Sequence, residues 1–353
     1  MSYIFYQVFS YLERKSLRNF LKIKNAYLKK CASYLYSRFK NNHVACRNIR
    51  TINENTNTVR CFMKLSDTVF LSGSFDRSII SWKFDEKTGK LHKLQTLKDH
   101  KSFVLNLIKI TNDTFLSSSN DGTIIAWKWD EEEEIIYHFQ TLGDNKGIIY
   151  SLLKLNDSTF LSCSSEKLID VWKFNEIGFT KIETLIGHTS NVYCLLRISD
   201  QVFLSGSDDK TIGVWKSSGE SFRKIKSLDD HTDSVGIMMN WTNEMFCSGS
   251  ADKNINVWFI DREEIRLLDT LKSHTNTIMS LHKISNRVFL SGSYDNTIKI
   301  WEWIEELGNI KNLQTFSSHS YPVCCLMMLN DNMFISGSDD DTIKQWEFET
   351  LII

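Results

Sequence analysis

The sequence holds one proline and 15 glycines in 353 residues. A chain this poor in both is not a disordered linker. No apolar run approaches the roughly 20 residues that carry a helix across a bilayer, so no membrane-spanning helix is expected. The first residues lack an apolar core followed by a small-residue cleavage site, so a secretory leader is not expected either. Eight cysteines are present, but none forms a CxxC pair or a Cys/His cluster at zinc spacing. Cys61, Cys194 and Cys325 recur beside aliphatic residues at one strand position and read as small buried thiols. Reduced thiols suit an intracellular compartment, cytoplasmic or nuclear. There is no glycine-rich phosphate loop and no isolated nucleophile–base pair, which argues against an enzyme and against a metal or cofactor.

Strong charge of one sign is lacking too. The formal net charge is −1, which gives no general pull toward nucleic acid or membrane. The charge is unevenly placed, however. Residues 1–45 carry nine Lys/Arg against the single acid Glu13, leaving 33 Lys/Arg against 42 Asp/Glu for the rest. This asymmetry divides the chain into 1–45 and 46–353, two parts with different roles. The basic part is short and the remainder acidic, which argues against nucleic-acid binding. The acidic run Asp130-Glu-Glu-Glu-Glu134 reads either as a solvated hairpin or as a contact for a basic partner.

What is present is a repeat. Trp82, Trp127, Trp172, Trp215, Trp258, Trp301 and Trp346 follow one another at intervals of 45, 45, 43, 43, 43 and 45 residues. Before them stands nearly one phrase, as in Phe70-Leu-Ser-Gly-Ser-Phe-Asp76, Phe203-Leu-Ser-Gly-Ser-Asp-Asp209 and Phe289-Leu-Ser-Gly-Ser-Tyr-Asp295. Farther upstream lies a second phrase, such as Thr184-Leu-Ile-Gly-His-Thr-Ser-Asn-Val192. These are short strands separated by tight turns. Short strands at a fixed period near 40–45 residues are the pattern of propeller blades. The expected fold is all-β: a seven-bladed β-propeller behind a small N-terminal α-helical segment. After Trp346 there is room for no fourth strand, and Arg47-Asn-Ile-Arg-Thr-Ile52 occupies the corresponding place before the first repeat. That segment is expected to complete the last blade and leave the ring without an open edge.

Over roughly residues 46–353 these phrases resemble the WD-repeat family. The resemblance implies a buried hydrogen-bond chain of His, Ser or Thr, Asp and Trp in each blade. The complete sets are His100/Ser117/Asp121/Trp127, His188/Ser205/Asp209/Trp215, His231/Ser248/Asp252/Trp258, His274/Ser291/Asp295/Trp301 and His319/Ser336/Asp340/Trp346. The first repeat has Asn55 in place of His. The third has Asn145 and Glu166, which implies a looser chain. A Ser–His–Asp set could suggest hydrolysis, but a nucleophilic triad occurs once, in a cleft. One repeated five times around a ring is architecture.

Residues 1–45 are helical in pattern. Ile4, Phe5, Val8, Phe9 and Leu12 share one face. Ser16 can cap a second helix with Leu17, Phe20 and Leu21, and Asn25 can start a third. The order Val8, Phe9, Leu12, Leu17, Ile23, Tyr27 resembles an F-box, which docks on the Skp-type adaptor of a cullin–RING ubiquitin ligase. Those six residues would make the adaptor contact. The usual Leu-Pro start is missing, Tyr27 stands at the family's Trp position, and Lys24 replaces a frequent Cys. A plain helical extension packed on the propeller and a basic amphipathic targeting segment are the other readings. An F-box followed by WD repeats implies a ligase substrate receptor, with protein partners only. A WD-repeat scaffold unrelated to ubiquitin is the alternative.

The family's ligand face implies three positions per repeat. Arg60, Phe75, Phe103, Leu105, Ile148, Tyr150, Tyr193, Asp208, Tyr294 and Asp339 are the candidates for holding a substrate protein. Phe75, Phe103, Leu105, Ile148, Tyr150 and Tyr193 would cluster there, or some would line the pore instead. Arg60 is the one arginine in the set, which points to an apolar or basic unphosphorylated segment, since phosphate recognition uses several arginines.

Overall fold

The Phe-Leu-Ser-Gly-Ser phrases form strands buried along both faces, as at Val69–Ser74 and Val288–Ser293, and so does Phe-Leu-Ser-Ser-Ser within Thr114–Ser119. Burial on both sides explains the small residues within them. A Cβ on Gly73 would stand 2.6 Å from Cys61 Sγ and 2.7 Å from Val104 Cγ1 of the next sheet. Only glycine admits so close an approach.

The computed structural model describes residues 46–143, 147–175, 177–218, 221–261, 264–304, 308–317 and 319–348. The expected helices, the six adaptor positions from Val8 to Tyr27 and Asn145 lie outside them. Blade 1 consists of Val59–Lys64, Val69–Ser74, Ile79–Asp85 and Lys90–Leu97, in chain order across an antiparallel sheet. The same unit recurs over 104–142, 149–186, 192–228, 235–271 and 278–316. Blade 7 supplies three strands, Val323–Asn330, Met333–Ser338 and Ile343–Phe348. Its fourth is Cys46–Ile52, paired antiparallel from Cys46↔Phe348 to Ile52↔Ile343. The expected closure is therefore observed, one residue longer than 47–52. All seven sheets have four strands, and the fold is a seven-bladed β-propeller. The Arg47–Glu347 pair across the closure, at 2.9 Å, is exposed. Such a pair adds little, and the strand pairing carries the closure.

The core lies at the seams between blades rather than on the axis. One apolar cluster joins Leu71 and Ile79 of blade 1 to Val104 and Phe115 of blade 2. Another joins Val59 and Phe70 of blade 1 to Cys325 and Ile335 of blade 7. Within each blade the phrase Phe stacks on the blade Trp, from Phe70–Trp82 at 6.2 Å to Phe334–Trp346 at 5.6 Å. Each buried aromatic contributes roughly 2–3 kcal/mol. The outer strands are clamped as well. Gln95 of blade 1 accepts the Ile136 N–H and donates to its carbonyl, both at 2.8 Å. Gln140 treats Phe179 of blade 3 the same way, at 3.1 and 3.3 Å.

Candidate ligand-binding face

The face is built from the turn between the second and third strands of each blade. In blade 4, Asp209 accepts the Thr211 N–H at 3.0 Å and its hydroxyl at 2.7 Å. Its other oxygen accepts the Thr189 N–H at 3.0 Å and lies 2.7 Å from His188 Nδ1. One carboxylate thus ties the turn to the loop entering the blade. His188 Nε2 lies 2.6 Å from Ser205 Oγ, and Trp215 Nε1–H donates to that oxygen at 2.7 Å. The consistent proton order runs Trp to Ser, Ser to His, and His Nδ1–H to Asp.

The same chain joins His231, Ser248, Asp252 and Trp258, with separations of 2.7–2.8 Å. It joins His274, Ser291, Asp295 and Trp301, and His319, Ser336, Asp340 and Trp346. In blade 2, His100 lies 2.7 Å from Ser117, which takes Trp127 at 2.8 Å, but 3.3 Å from Asp121. Blade 1 keeps Trp82 on Ser72 at 2.9 Å, while the buried Asn55 Nδ2 finds no partner among the described residues. Blade 3 keeps Trp172 on Ser162 at 2.9 Å, and Glu166 is exposed with its side chain beside Gly147.

Burial raises the Asp209 carboxyl, but hydrogen bonds from Thr211, the Thr189 N–H and His188 outweigh it and bring it to about 2. Burial holds the His188 imidazole below its usual range, against the pull of Asp209. The histidine is neutral at physiological pH, positioned as a strut.

Next to its first residue, each first strand skips one position in the pairing with the second strand: Arg60, Leu105, Tyr150, Tyr193, Gly236, Met279 and Cys324. Two residues before each bulge, a carbonyl accepts the N–H of the turn residue. Examples are Thr58 to Phe75, Phe103 to Asn120 and Asn191 to Asp208, all at 2.9 Å. Bulge and turn positions are therefore held together in every blade.

The expected apolar group resolves into two pairs across blade seams. Phe75 and Phe103 stack, with centres 4.4 Å apart and planes at 12°. Tyr150 and Tyr193 meet edge-on at 4.8 Å. Leu105 and Ile148 are half-buried. A cleft of about 500 Å³ opens beside the phenylalanine stack, lined by Thr56, Asn57, Phe75, Arg77, Lys98 and Phe103.

The polar members are tied into the ring. Asp208 accepts the hydroxyls of Ser234 at 2.6 Å and Ser190 at 2.8 Å, which hold its carboxyl below the usual range. Arg60 donates to the Cys324 carbonyl at 3.3 Å. The Cys324 thiol donates to Asp339 at 3.2 Å. Tyr294 is exposed. Sequence reasoning missed the cations Arg77, Lys167, Lys210 and Lys253, one place past the turn Asp or Glu, all exposed and all at positive φ. Their signal was the residue after each turn acid. The face is thus apolar and acidic inside a partial cationic rim.

Among the described residues no group of three or more His, Cys, Asp or Glu could hold a metal, and no helix is long and apolar enough to cross a membrane. Seven of the cysteines, Cys46, Cys61, Cys163, Cys194, Cys247, Cys324 and Cys325, are free and buried.

Residues 91–128, 179–216, 222–258, 265–302 and 310–347 match the family model described as WD domain, G-beta repeat. Those five stretches contain the five complete His/Ser/Asp/Trp sets; the repeats with Asn55 and Asn145 fall outside them. No curated protein matches the chain by sequence. The structure is similar to the crystal structure of the WD40 beta propeller domain of Doa1, with a TM-score of 0.71 and 22% identity, covering 86% of this chain and 97% of that one. At that identity the likeness concerns the fold alone.

Proposed function

Because the chain belongs to the WD-repeat family, a family of protein-interaction modules, we propose that it is the substrate receptor of a cullin–RING ubiquitin ligase. The turn-and-bulge face holds the substrate protein, and residues 1–45 hold the Skp-type adaptor. The observation that supports the first half is the pair of aromatic seams, Phe75/Phe103 and Tyr150/Tyr193, on a face where bulge and turn are hydrogen-bonded together in every blade. Aromatic side chains in such a setting anchor protein partners. The second half rests on the F-box-like order Val8, Phe9, Leu12, Leu17, Ile23 and Tyr27.

The substrate segment inserts apolar side chains between the seams and turns a basic residue to Asp208 or Asp339. Arg60 is committed to the Cys324 carbonyl, which disfavours a phosphate at the centre. The reduced, buried cysteines support work in the cytoplasm or nucleus.

Affinity purification of the full chain and of a chain lacking residues 1–45 tests this. The full chain is expected to recover a Skp-type adaptor and a substrate, and the shortened chain only the substrate. No adaptor from the full chain, with the same partners from both, would make the protein a scaffold unrelated to ubiquitin.

A further inference from the structure

The outer strands of the seven sheets differ in one respect. Six carry at least one Lys or Arg: Lys93, Lys181, Arg223, Arg266, Lys311 and, in the closing strand, Arg47. The outer strand of blade 2, Ile135–Leu142, reads Ile-Ile-Tyr-His-Phe-Gln-Thr-Leu and carries neither. It is an edge strand, paired on one side only, with Ile124–Asp130. Edge strands are commonly guarded by lysine or proline against pairing with another chain. This one carries no lysine, arginine or proline, its one irregularity being the bulge that skips Phe139, and Ile135, Tyr137 and Phe139 stand 50%, 53% and 42% exposed along it.

These three side chains share a face. Tyr137 lies opposite Lys128 in the pairing and Ile135 opposite Asp130. Lys128 Nζ sits 5.7 Å over the Phe139 ring. That lysine is neutralised by Asp113 at 2.7 Å. At the head of the strand the hairpin is acidic. Asp130 accepts the N–H groups of Glu132 and Glu133 at 3.0 and 3.1 Å, and Glu134 pairs with Lys83. The carboxylates of Glu131, Glu132 and Glu133 make no ion pair among the described residues.

We propose that this edge accepts an extended segment of a partner protein as a fifth strand of blade 2. Its alternate large apolar side chains lie on Ile135, Tyr137 and Phe139, and its Lys or Arg residues lie over the three free glutamates. Backbone pairing gives such a complex its affinity, and the alternate side chains its specificity. A second copy of this chain meeting the edge strand to strand would bring the same strand without lysine or arginine and a like-charged hairpin. Charge complementarity therefore selects a basic, apolar segment from another protein. The site is separate from the turn-and-bulge face and leaves it open.

The test uses the full chain and a fluorescein-labelled synthetic peptide, a lysine run followed by alternating valine and serine. A control peptide has glutamates for the lysines. Anisotropy is expected to show binding of the lysine peptide only. Affinity is expected to fall at least about tenfold in the charge reversal E131K/E132K/E133K and in Tyr137→Thr, both exposed changes that leave the circular dichroism spectrum unaltered. Amide exchange should slow within 135–142 on binding. Equal binding of both peptides, undiminished binding by the variants, or protection confined to the turn-and-bulge face would overturn the proposal. So would a dimer that these variants dissociate, which assigns the edge to a second copy, or binding seen only after removal of residues 1–45, which assigns it to that segment.

Discussion

Phe75 stacks on Phe103 across the seam between blades 1 and 2, with ring centres 4.4 Å apart. Neither ring belongs to the apolar clusters that join the blades. The pair stays partly open to water, with Phe103 37% exposed. A surface stack of this kind contributes only about 1 kcal/mol. Phe75→Ala is therefore expected to lower the unfolding free energy in urea by about that much. A loss above about 3 kcal/mol, the range of buried aromatic truncations, would place the pair in the core instead.

The buried struts are expected to be unequal. Ser205 accepts Trp215 and also meets His188, whereas Ser162 has only Trp172 as a side-chain partner among the described residues. Ser205→Ala leaves two buried polar groups unpaired and Ser162→Ala leaves one. Each such group costs about 1–3 kcal/mol. Urea unfolding of both variants should show Ser205→Ala the more damaging by roughly that amount. Equal losses would mean that His188 adds nothing to the strut.

Stability is expected to fall in mild acid. His282 Nε2 accepts the Met328 N–H of blade 7 at 3.2 Å. Burial, and after it the Lys64 charge, brings its imidazole down from 6.5 to about 4. A folded-state value below the unfolded one means that the unfolded chain takes up the proton first. The stabilisation is complete above pH 6.5 and is lost as pH falls from 6.5 toward about 4. His188, His274 and His319, also lowered chiefly by burial, act in the same direction. Chemical denaturation at stepped pH should show the decline, with a shallower slope for His282→Gln. A flat profile across this window would contradict it.

The tight turns carry a removable strain. Lys210 and Lys253 hold φ values of 72° and 73°, where blade 2 has Gly122 at 79°. A left-handed residue with a side chain costs roughly 1–2 kcal/mol, offset in part by the greater freedom that glycine loses on folding, about 0.5–1 kcal/mol. Lys253→Gly should leave the thermal midpoint unchanged or slightly raised, and Gly122→Ala should lower it. The opposite order would show that side-chain contacts govern these turns.

Much of the fold was legible because one rule recurs. Seven Trp at near-constant spacing give the blade count, and Arg47–Ile52 gives the closure, since it stands before the first repeat where an outer strand stands before each of the others. The Ser, His and Asp of each strut stand at fixed separations along the chain, so local spacing predicts them. Relations between blades were not legible. The Gln95 clamp on Ile136, the Arg60 guanidinium on the Cys324 carbonyl and the joining of Ser190 and Ser234 by Asp208 depend on how neighbouring sheets lie in register. The aromatic positions of the face were visible in the sequence, but their division into two pairs follows from which seams carry rings on both sides. The edge at Ile135–Leu142 needed the boundaries of all seven outer strands before its lack of lysine and arginine stood out.

The central claim is that the turn-and-bulge face anchors a protein partner through its aromatic seams. Quantitative affinity purification of the full chain beside the Phe103→Ala/Tyr150→Ala variant tests it most directly, with thermal unfolding run on the same samples. The account predicts that partner recovery falls at least about tenfold while the unfolding midpoint stays nearly unchanged. Full recovery of the same partners by the variant would contradict it.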